Sequence, residues 1–326
     1  MSTLQPEVKL NVAEGPHWRD GSSLTRTQAF WLVALLPATV ASVVHFGIPA
    51  LRVICLSVGA CVALDALANR IRPGKDFTTN LSSASLGLML ALLLPITAPW
   101  WLVLVGAVLT VVVGKKLYGG WGGYPVHPVA LSYAMLAVSW PERLDRTASL
   151  VGLAWDRTMI EPVRLLKTQG AVAELAYDKL DLFLGLQVAG VGNALVLWLL
   201  LGGLALLLVR VVPWQIPLGC LVGVVLCAWL VQLGSPERAA TPLFHLLAGS
   251  TVFMAFFLLG ESTTSPVNPW PMLFFGLLAG VLLVLIRTFS THPECAIFAV
   301  LLVDLASPLL DRMVPRIRGL EVTRRA

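Results

Sequence analysis

Charge is scarce in this chain. Asp, Glu, Lys and Arg make up 13% of its 326 residues and hydrophobic residues 57%, and mean hydropathy is +0.82. A soluble domain carries about 25% charged residues, so a water-bathed globule is excluded. Nor does the net charge of +5 describe a nucleic-acid surface. The basic residues fall in short clusters: Arg70, Arg72 and Lys75; Lys115 and Lys116; and Arg312, Arg316, Arg318, Arg324 and Arg325. Such clusters between apolar runs mark the cytoplasmic side of a membrane protein.

Cysteine is equally uninformative as a scaffold. Cys55, Cys61, Cys220, Cys227 and Cys295 lie inside apolar segments and form no C-x-x-C pair, which excludes a disulfide framework and the usual zinc spacing. No G-x-G-x-x-G follows a strand pattern, so the glycines at 119, 120, 122 and 123 are not a nucleotide-binding fingerprint. No Ser-His-Asp or Cys-His arrangement can be argued from spacing. Residues 1–28 are polar, contain Pro6, Glu14 and Asp20, and lack the apolar core of a secretory signal. The first hydrophobic segment is expected to stay as an anchor.

What the chain has is long apolar runs. About ten approach the length that crosses a bilayer: 29–47, 49–68, 81–95, 98–114, 125–140, 193–210, 214–233, 242–259, 271–286 and 294–310. The expected fold class is an all-α polytopic membrane protein. With ten spans and a cytoplasmic N-terminus, the basic clusters and the C-terminus all fall on the cytoplasmic side. The expected organisation is a cytoplasmic segment 1–28, a first membrane half 29–140, an extracytoplasmic loop 141–192, a second half 193–312 and a basic cytoplasmic tail 313–326.

Two of these runs break where a spanning helix ought to continue. The first break is Leu94-Pro95-Ile96-Thr97-Ala98-Pro99-Trp100, and the second runs from Gly260 and Glu261 through Ser262, Thr263, Thr264, Ser265 and Pro266 to Trp270. Irregular backbone cannot face lipid, because each unpaired N–H or C=O there costs several kcal/mol. It survives where it lines an enclosed site, and matching breaks in two halves point to a binding site in a duplicated membrane protein. The spacing from Ser85 to Pro95 equals that from Ser250 to Gly260, which supports two repeated halves with broken or re-entrant helices.

Intramembrane acids are costly and mark functional positions. Asp65, Glu261 and Asp304 qualify. Glu261 is the leading candidate, since its break could enclose an ion or a cofactor; the alternative is that it caps the following turn. Asp65 is expected to pair with Arg70 or Arg72, and Asp304 with a basic neighbour. The hydroxyls of Ser262, Thr263, Thr264 and Ser265 suit a phosphate, a flavin edge or a hydrated cation, and equally the backbone of the broken helix. Gly119 and Gly120 permit close backbone approach to a ligand. In the loop, Thr158 and Glu161 have capping-box spacing ahead of Pro162.

Several of these segments resemble one family. Gly114-Lys115-Lys116-Leu117-Tyr118-Gly119-Gly120, followed by Pro125 and His127-Pro128, is similar to the G-K-x-x-F/Y-G-G…N-P loop of the RnfD/NqrB family. Leu92-Leu93-Leu94-Pro95 with Ala98-Pro99-Trp100-Trp101, Thr264-Ser265-Pro266, Leu182-Phe183-Leu184-Gly185 and Ile297-Phe298-Ala299-Val300-Leu301-Leu302 match it in order. The resemblance covers roughly residues 28–318 and fits RnfD better in length than NqrB.

The resemblance implies a bacterial inner-membrane subunit of an Rnf/Nqr-type electron-transport complex, coupling electron transfer to Na+ or H+ translocation beside other subunits. It also implies flavin, FMN or riboflavin. In the family, FMN is joined through its phosphate to a threonine of an S-G-A-T-P-L-like sequence, and aligning the proline puts Glu161 at that threonine. A carboxylate cannot form the phosphoester, so any flavin is expected to be non-covalent, with Thr158 a weak substitute acceptor. Cofactor contacts are assigned to Thr158, Glu261, Thr263, Thr264, Ser265, Gly119 and Gly120. The rival readings are a small-solute transporter or channel on the same duplicated scaffold, and a redox-inactive structural subunit.

Overall fold

A computed structural model describes residues 23–71, 80–146, 160–237, 240–290 and 294–313. All regular structure among them is helical. In chain order the helices are α1 (Leu24–Phe46), α2 (Ile48–Ile71), α3 (Asn80–Leu93), α4 (Trp100–Val108), α5 (Pro128–Ser139), α6 (Pro162–Gln169), α7 (Lys179–Leu184), α8 (Val196–Leu208), α9 (Gln215–Gly234), α10 (Pro242–Leu247), α11 (Thr251–Phe253), α12 (Pro269–Phe289) and α13 (Cys295–Arg312). α4 continues as a π-helical stretch, Leu109–Lys116, and α11 as another, Met254–Leu258. All ten apolar runs are helical, and 242–259 is split between α10 and α11.

Four helices, α1, α2, α9 and α12, are long and apolar enough to cross a bilayer by themselves, and shorter apolar helices lie within α3, α5 and α8. The protein is an all-α polytopic membrane protein. Its outer faces carry bare apolar side chains, among them Val40 and Val44 of α1 and Trp229 and Leu233 of α9, as contact with lipid requires.

Helix ends follow local chemistry. Ser23 caps α1, its hydroxyl accepting from the Arg26 N–H at 3.2 Å, and Thr241 caps α10 in the same way through the Phe244 N–H. α9 and α12 pack backbone against backbone: a Cβ on Gly223 would stand 2.3 Å from the Leu277 carbonyl oxygen, and one on Gly280 2.2 Å from that of Cys220. Small residues allow such backbone contact, which drives helix association where lipid removes the hydrophobic incentive.

The helices pair by one scheme in both parts of the chain. α2 packs on α3 and α4, as α9 packs on α10 and α12. α1 meets α3, as α8 meets α11. Among the described residues α1 meets α8 and α5 meets α13 across the sets. The segment between them is no detached loop. Leu165, Leu166, Ala173 and Leu182 bury a small core against Ala240, Phe244 and Ala248 beside α10.

Both breaks are present. α3 has 14 residues, about 21 Å of rise against a hydrocarbon core of about 30 Å, so it is too short to cross a bilayer by itself. It is filled by its own apolar side chains, with Leu92, Leu93 and Leu94 fully buried. Its carbonyls are paired from outside: Val191 N–H donates to Leu94 O at 2.8 Å, and Gly192 and Asn193 N–H to Leu92 O at 2.9 and 3.1 Å. Arg52 donates to the Ala98 carbonyl at 3.2 Å. A Cβ on Gly190 would sit 2.4 Å from the Leu93 oxygen, which explains the glycine-rich return of the chain there. The first break is a closed pin.

Candidate functional site

The second break is different. Leu259–Asn268 runs irregularly between the π-helical end of α11 and α12, and it buries Glu261, Thr264 and Ser265. One Glu261 oxygen accepts from the Tyr124 hydroxyl at 2.5 Å. The other lies 2.9 Å from His127 Nε2, although the ring N–H is not aimed well enough to complete a hydrogen bond. The backbone N–H of His127 donates to Asp304 Oδ2 at 2.8 Å. Tyr124, His127, Glu261 and Asp304 are 2%, 0%, 3% and 1% exposed, so four polar side chains from three parts of the chain meet in the dry interior.

Local sequence brings them there. The π-helical turn shifts the register at the end of α4 by one residue, and the chain then reverses through Gly119 and Gly120 at φ +96° and +97°, where a side chain would be strained. The Gly120 N–H closes the turn on the Lys115 carbonyl at 3.0 Å. Pro128 then opens α5 directly after His127. From the other direction, α13 carries Asp304 inward on its buried face.

The cluster is not self-satisfied. Glu261 Oε2, Asp304 Oδ1, both ring nitrogens of His127 and the hydroxyls of Thr263 and Thr264 are buried without a hydrogen-bond partner. The Thr263 hydroxyl stands beside Tyr124 and that of Thr264 beside Asp304. A buried polar atom left unpaired costs about 1–3 kcal/mol, and native proteins hold few of them. Their convergence at one buried place makes this the candidate functional site.

The sequence-assigned residues separate accordingly. Glu261, Thr263 and Thr264 come together with His127, Tyr124 and Asp304. Ser265 turns elsewhere, lining with Ser262, Arg210, Trp214 and Met272 a separate cavity of about 670 Å3. Gly119 and Gly120 form the turn that delivers Tyr124 and His127. Thr158 lies outside the described residues. Tyr124 went unread because a tyrosine after a glycine run carries no positional signal. Asp304 pairs with the His127 backbone, not with a basic side chain.

Asp65 also departs from expectation. Among the described residues its partners are Lys115 at 3.3 Å and Lys116 at 3.1 Å, not Arg70; Arg72 lies outside the described residues. The π-helical turn stacks both lysines over α2, and Lys115 further donates to Ser82 and Ser83 at 2.8 Å each. Lys115 and Asp65 are fully buried.

A third cluster fills the other end of α5. Arg146 Nη1 donates to Glu161 at 2.7 Å, and its Nη2 contacts Glu294 and donates to the Tyr133 hydroxyl at 3.1 Å. Glu161 therefore stands at the N-cap of α6 with its carboxylate turned away from the helix end, not in the third position of a capping box. Burial pushes the Glu161 carboxyl up, with Arg146 pulling the other way. Glu294, Tyr133 and Glu161 outweigh burial at Arg146 and hold its guanidinium charged. A cavity of about 540 Å3 adjoins, lined by Glu142, Asp145, Arg146, Glu161, Arg164, Lys167 and Glu294 with Leu144 and Phe298.

Covalent flavin does not fit here. Glu161 has no hydroxyl to form the ester and is 5% exposed within the ion cluster. Four carboxylates face three cations around the cavity. Those cations are engaged: Arg146 by Glu161, Arg164 by Asp145 at 2.9 Å and Lys167 by the Ser290 carbonyl at 2.9 Å. A phosphate dianion would meet net negative charge.

Known proteins match the chain over nearly its full length. Residues 11–319 match the NQR2, RnfD, RnfE family. The D-type subunit of the ion-translocating oxidoreductase complex of Mannheimia succiniciproducens is 31% identical over 95% of this chain and 98% of its own. Its counterpart of the same name from Escherichia fergusonii is 32% identical over 94% and 98%. The D-type subunit of the Na+-translocating ferredoxin:NAD+ oxidoreductase complex of Acetobacterium woodii is 31% identical over 94% of each chain. With its two interrupted membrane segments and this end-to-end similarity, the chain belongs to the NQR2, RnfD, RnfE family.

Proposed function

We propose that this chain is the D-type subunit of an ion-translocating oxidoreductase complex, assembled with the other subunits in the bacterial inner membrane with both termini cytoplasmic. Its similarity to proteins of that name, over almost all of both chains, supports this reading. The two sets of helices, 29–140 and 193–312, act as repeated halves on either side of the extracytoplasmic segment 141–192. Any flavin the protein carries is held without a covalent bond.

The coupling ion is handled at the second break, by Glu261 with His127, Asp304, Thr263 and Thr264. One observation carries this assignment: six buried polar atoms converge there without partners, while the first break has its carbonyls capped and its interior filled. The test is the purified complex with Glu261→Gln, reconstituted in liposomes. Ion movement driven by electron transfer should be lost while the subunits still co-purify. Unchanged transport by an intact variant complex would reject the site.

A further inference from the structure

We propose that the cavity where the end of α8 meets the starts of α9 and α12 binds the phosphodiester headgroup of an anionic phospholipid. Arg210 supplies the charge, and the hydroxyls of Ser262 and Ser265 the neutral contacts. The proposal goes beyond the ion assignment above and does not depend on it.

The end of α8 points to it first. Val211 N–H donates to the Leu206 carbonyl and Arg210 N–H to that of Leu207, each at 3.0 Å. These paired bonds close a helix through a left-handed residue. Glycine is the usual choice there, because a Cβ crowds the following carbonyl. Here the residue is Arg210, at φ +60°, the one non-glycine residue at positive φ among the described residues. A cation that only answered the negative end of α8 could stand in its last turn in ordinary helical conformation. Strain kept at one position signals a side chain that is used there, and Arg210 lines the cavity.

The cavity is suited to an anion. Among the described residues Arg210 has no carboxylate partner and the Ser265 hydroxyl no hydrogen-bond partner, although Ser265 is only 8% exposed. α9 starts at the cavity edge behind Trp214, and α12 starts between the lining residues Val267 and Met272. Neither start has a side-chain cap, so both present partial positive charge. Nearby acids are committed elsewhere. Glu261 turns inward onto Tyr124 and His127, and Asp311 accepts from the Val267 N–H at 3.0 Å. One guanidinium fits phosphate oxygens and matches the single charge of a phosphodiester.

The rest of the lining favours a lipid over a free phosphate. Leu207, Val212, Pro213, Pro266 and Met272 offer no donor side chain. A free phosphate carries up to two charges and would be stripped of water against them. The volume, about 670 Å3, is that of a small-molecule site. Its mouth has the marks of the membrane interface: Trp214 and Trp270 are exposed at the starts of α9 and α12, where tryptophans border the headgroup layer. Leu204 and Leu208 of α8 and Leu218 and Val222 of α9 leave bare apolar surface for acyl chains. Basic pockets between membrane helices bind such headgroups. The irregular segment thus faces two ways, Glu261 inward and Ser262 and Ser265 toward lipid. A bound headgroup braces its outer edge.

The experiment uses the intact complex, purified in detergent and stripped of lipid. Phosphatidylglycerol, phosphatidylcholine or inorganic phosphate is titrated in, and bound lipid is counted by native mass spectrometry. Arg210→Gly is the informative variant, since glycine accepts the left-handed backbone without strain. Its affinity for phosphatidylglycerol should fall by about ten- to a hundred-fold at one site, the loss expected for a hydrogen-bonded charge. Ser265→Ala should give a smaller drop at the same site. The unaltered complex should prefer phosphatidylglycerol to phosphatidylcholine there, and inorganic phosphate should not displace the lipid. Equal retention of phosphatidylglycerol by Arg210→Gly and the unaltered complex would overturn the proposal. So would equal binding of the choline lipid at the Arg210-dependent site, or displacement by inorganic phosphate, which would make the ligand a free anion. Thermal unfolding gives a second reading: phosphatidylglycerol should raise the unfolding temperature of the unaltered complex and not that of Arg210→Gly. Equal shifts would sink the proposal as well. Should Arg210→Gly fail to assemble, Ser265→Ala and the lipid preference of the unaltered complex decide.

Discussion

Arg146 and Glu161 are joined at 2.7 Å inside the protein, tying the segment between the two sets of helices to the end of α5. The same guanidinium reaches Glu294 at the start of α13 and Tyr133 on α5. One buried cation thus pins three elements together, and it does so at the position where the family pattern places a threonine ester to FMN.

The first expected outcome concerns that ester. Mass spectrometry of the purified protein should give the mass of the bare polypeptide, and its band should show no flavin fluorescence in a denaturing gel. A flavin-sized adduct on the 141–180 peptide would show that the ion cluster does not preclude attachment. Glu161→Thr restores the hydroxyl but frees Arg146 of one carboxylate; the same two readings decide whether the hydroxyl alone was missing.

Removing the shared cation should be severe. Arg146→Met leaves Glu161 and Glu294 buried with no positive partner, and losing one side of a buried ion pair costs about 3–5 kcal/mol. The checks are thermal unfolding in detergent and recovery of the assembled complex. Stability near the wild-type value would mean that water or lipid headgroups reach the cluster. A pH signature goes with it. Because burial raises the Glu161 carboxyl, the folded protein holds that proton more tightly than the unfolded chain. Its stabilising contribution is full below the ordinary glutamate range and is lost as pH rises through the raised value. Glu161→Gln should flatten that part of the stability–pH curve.

Gly190 should tolerate no side chain. In Gly190→Ala the new Cβ meets the Leu93 carbonyl oxygen at 2.4 Å, pushing Val191–Asn193 off the carbonyls of Leu92 and Leu94. Losing those caps should destabilise the first break by about 1–3 kcal/mol per orphaned group, read as a lower unfolding temperature. Gly59→Ala, where a Cβ would meet nothing within 4 Å, serves as the control for a glycine without crowding.

Local sequence set the membrane class, the apolar runs and both breaks. The solvent forces this: lipid demands long apolar stretches and punishes open backbone, so each is written into contiguous residues. Glu261 stood out for the same reason, as a charge in a place where charge is costly. Contacts between distant residues decided the rest. Tyr124 and Glu261 are 137 positions apart, and His127 and Asp304 177, so no spacing rule could join them. Asp65 meets two lysines because a π-helical turn 50 residues on presents them to it. Of four consecutive hydroxyl residues, the irregular backbone sends two toward the acids and two toward another cavity. Which of two similar breaks is a pin and which a candidate site depended on what packs against each, a glycine-rich return of the chain at one and a histidine with an aspartate at the other.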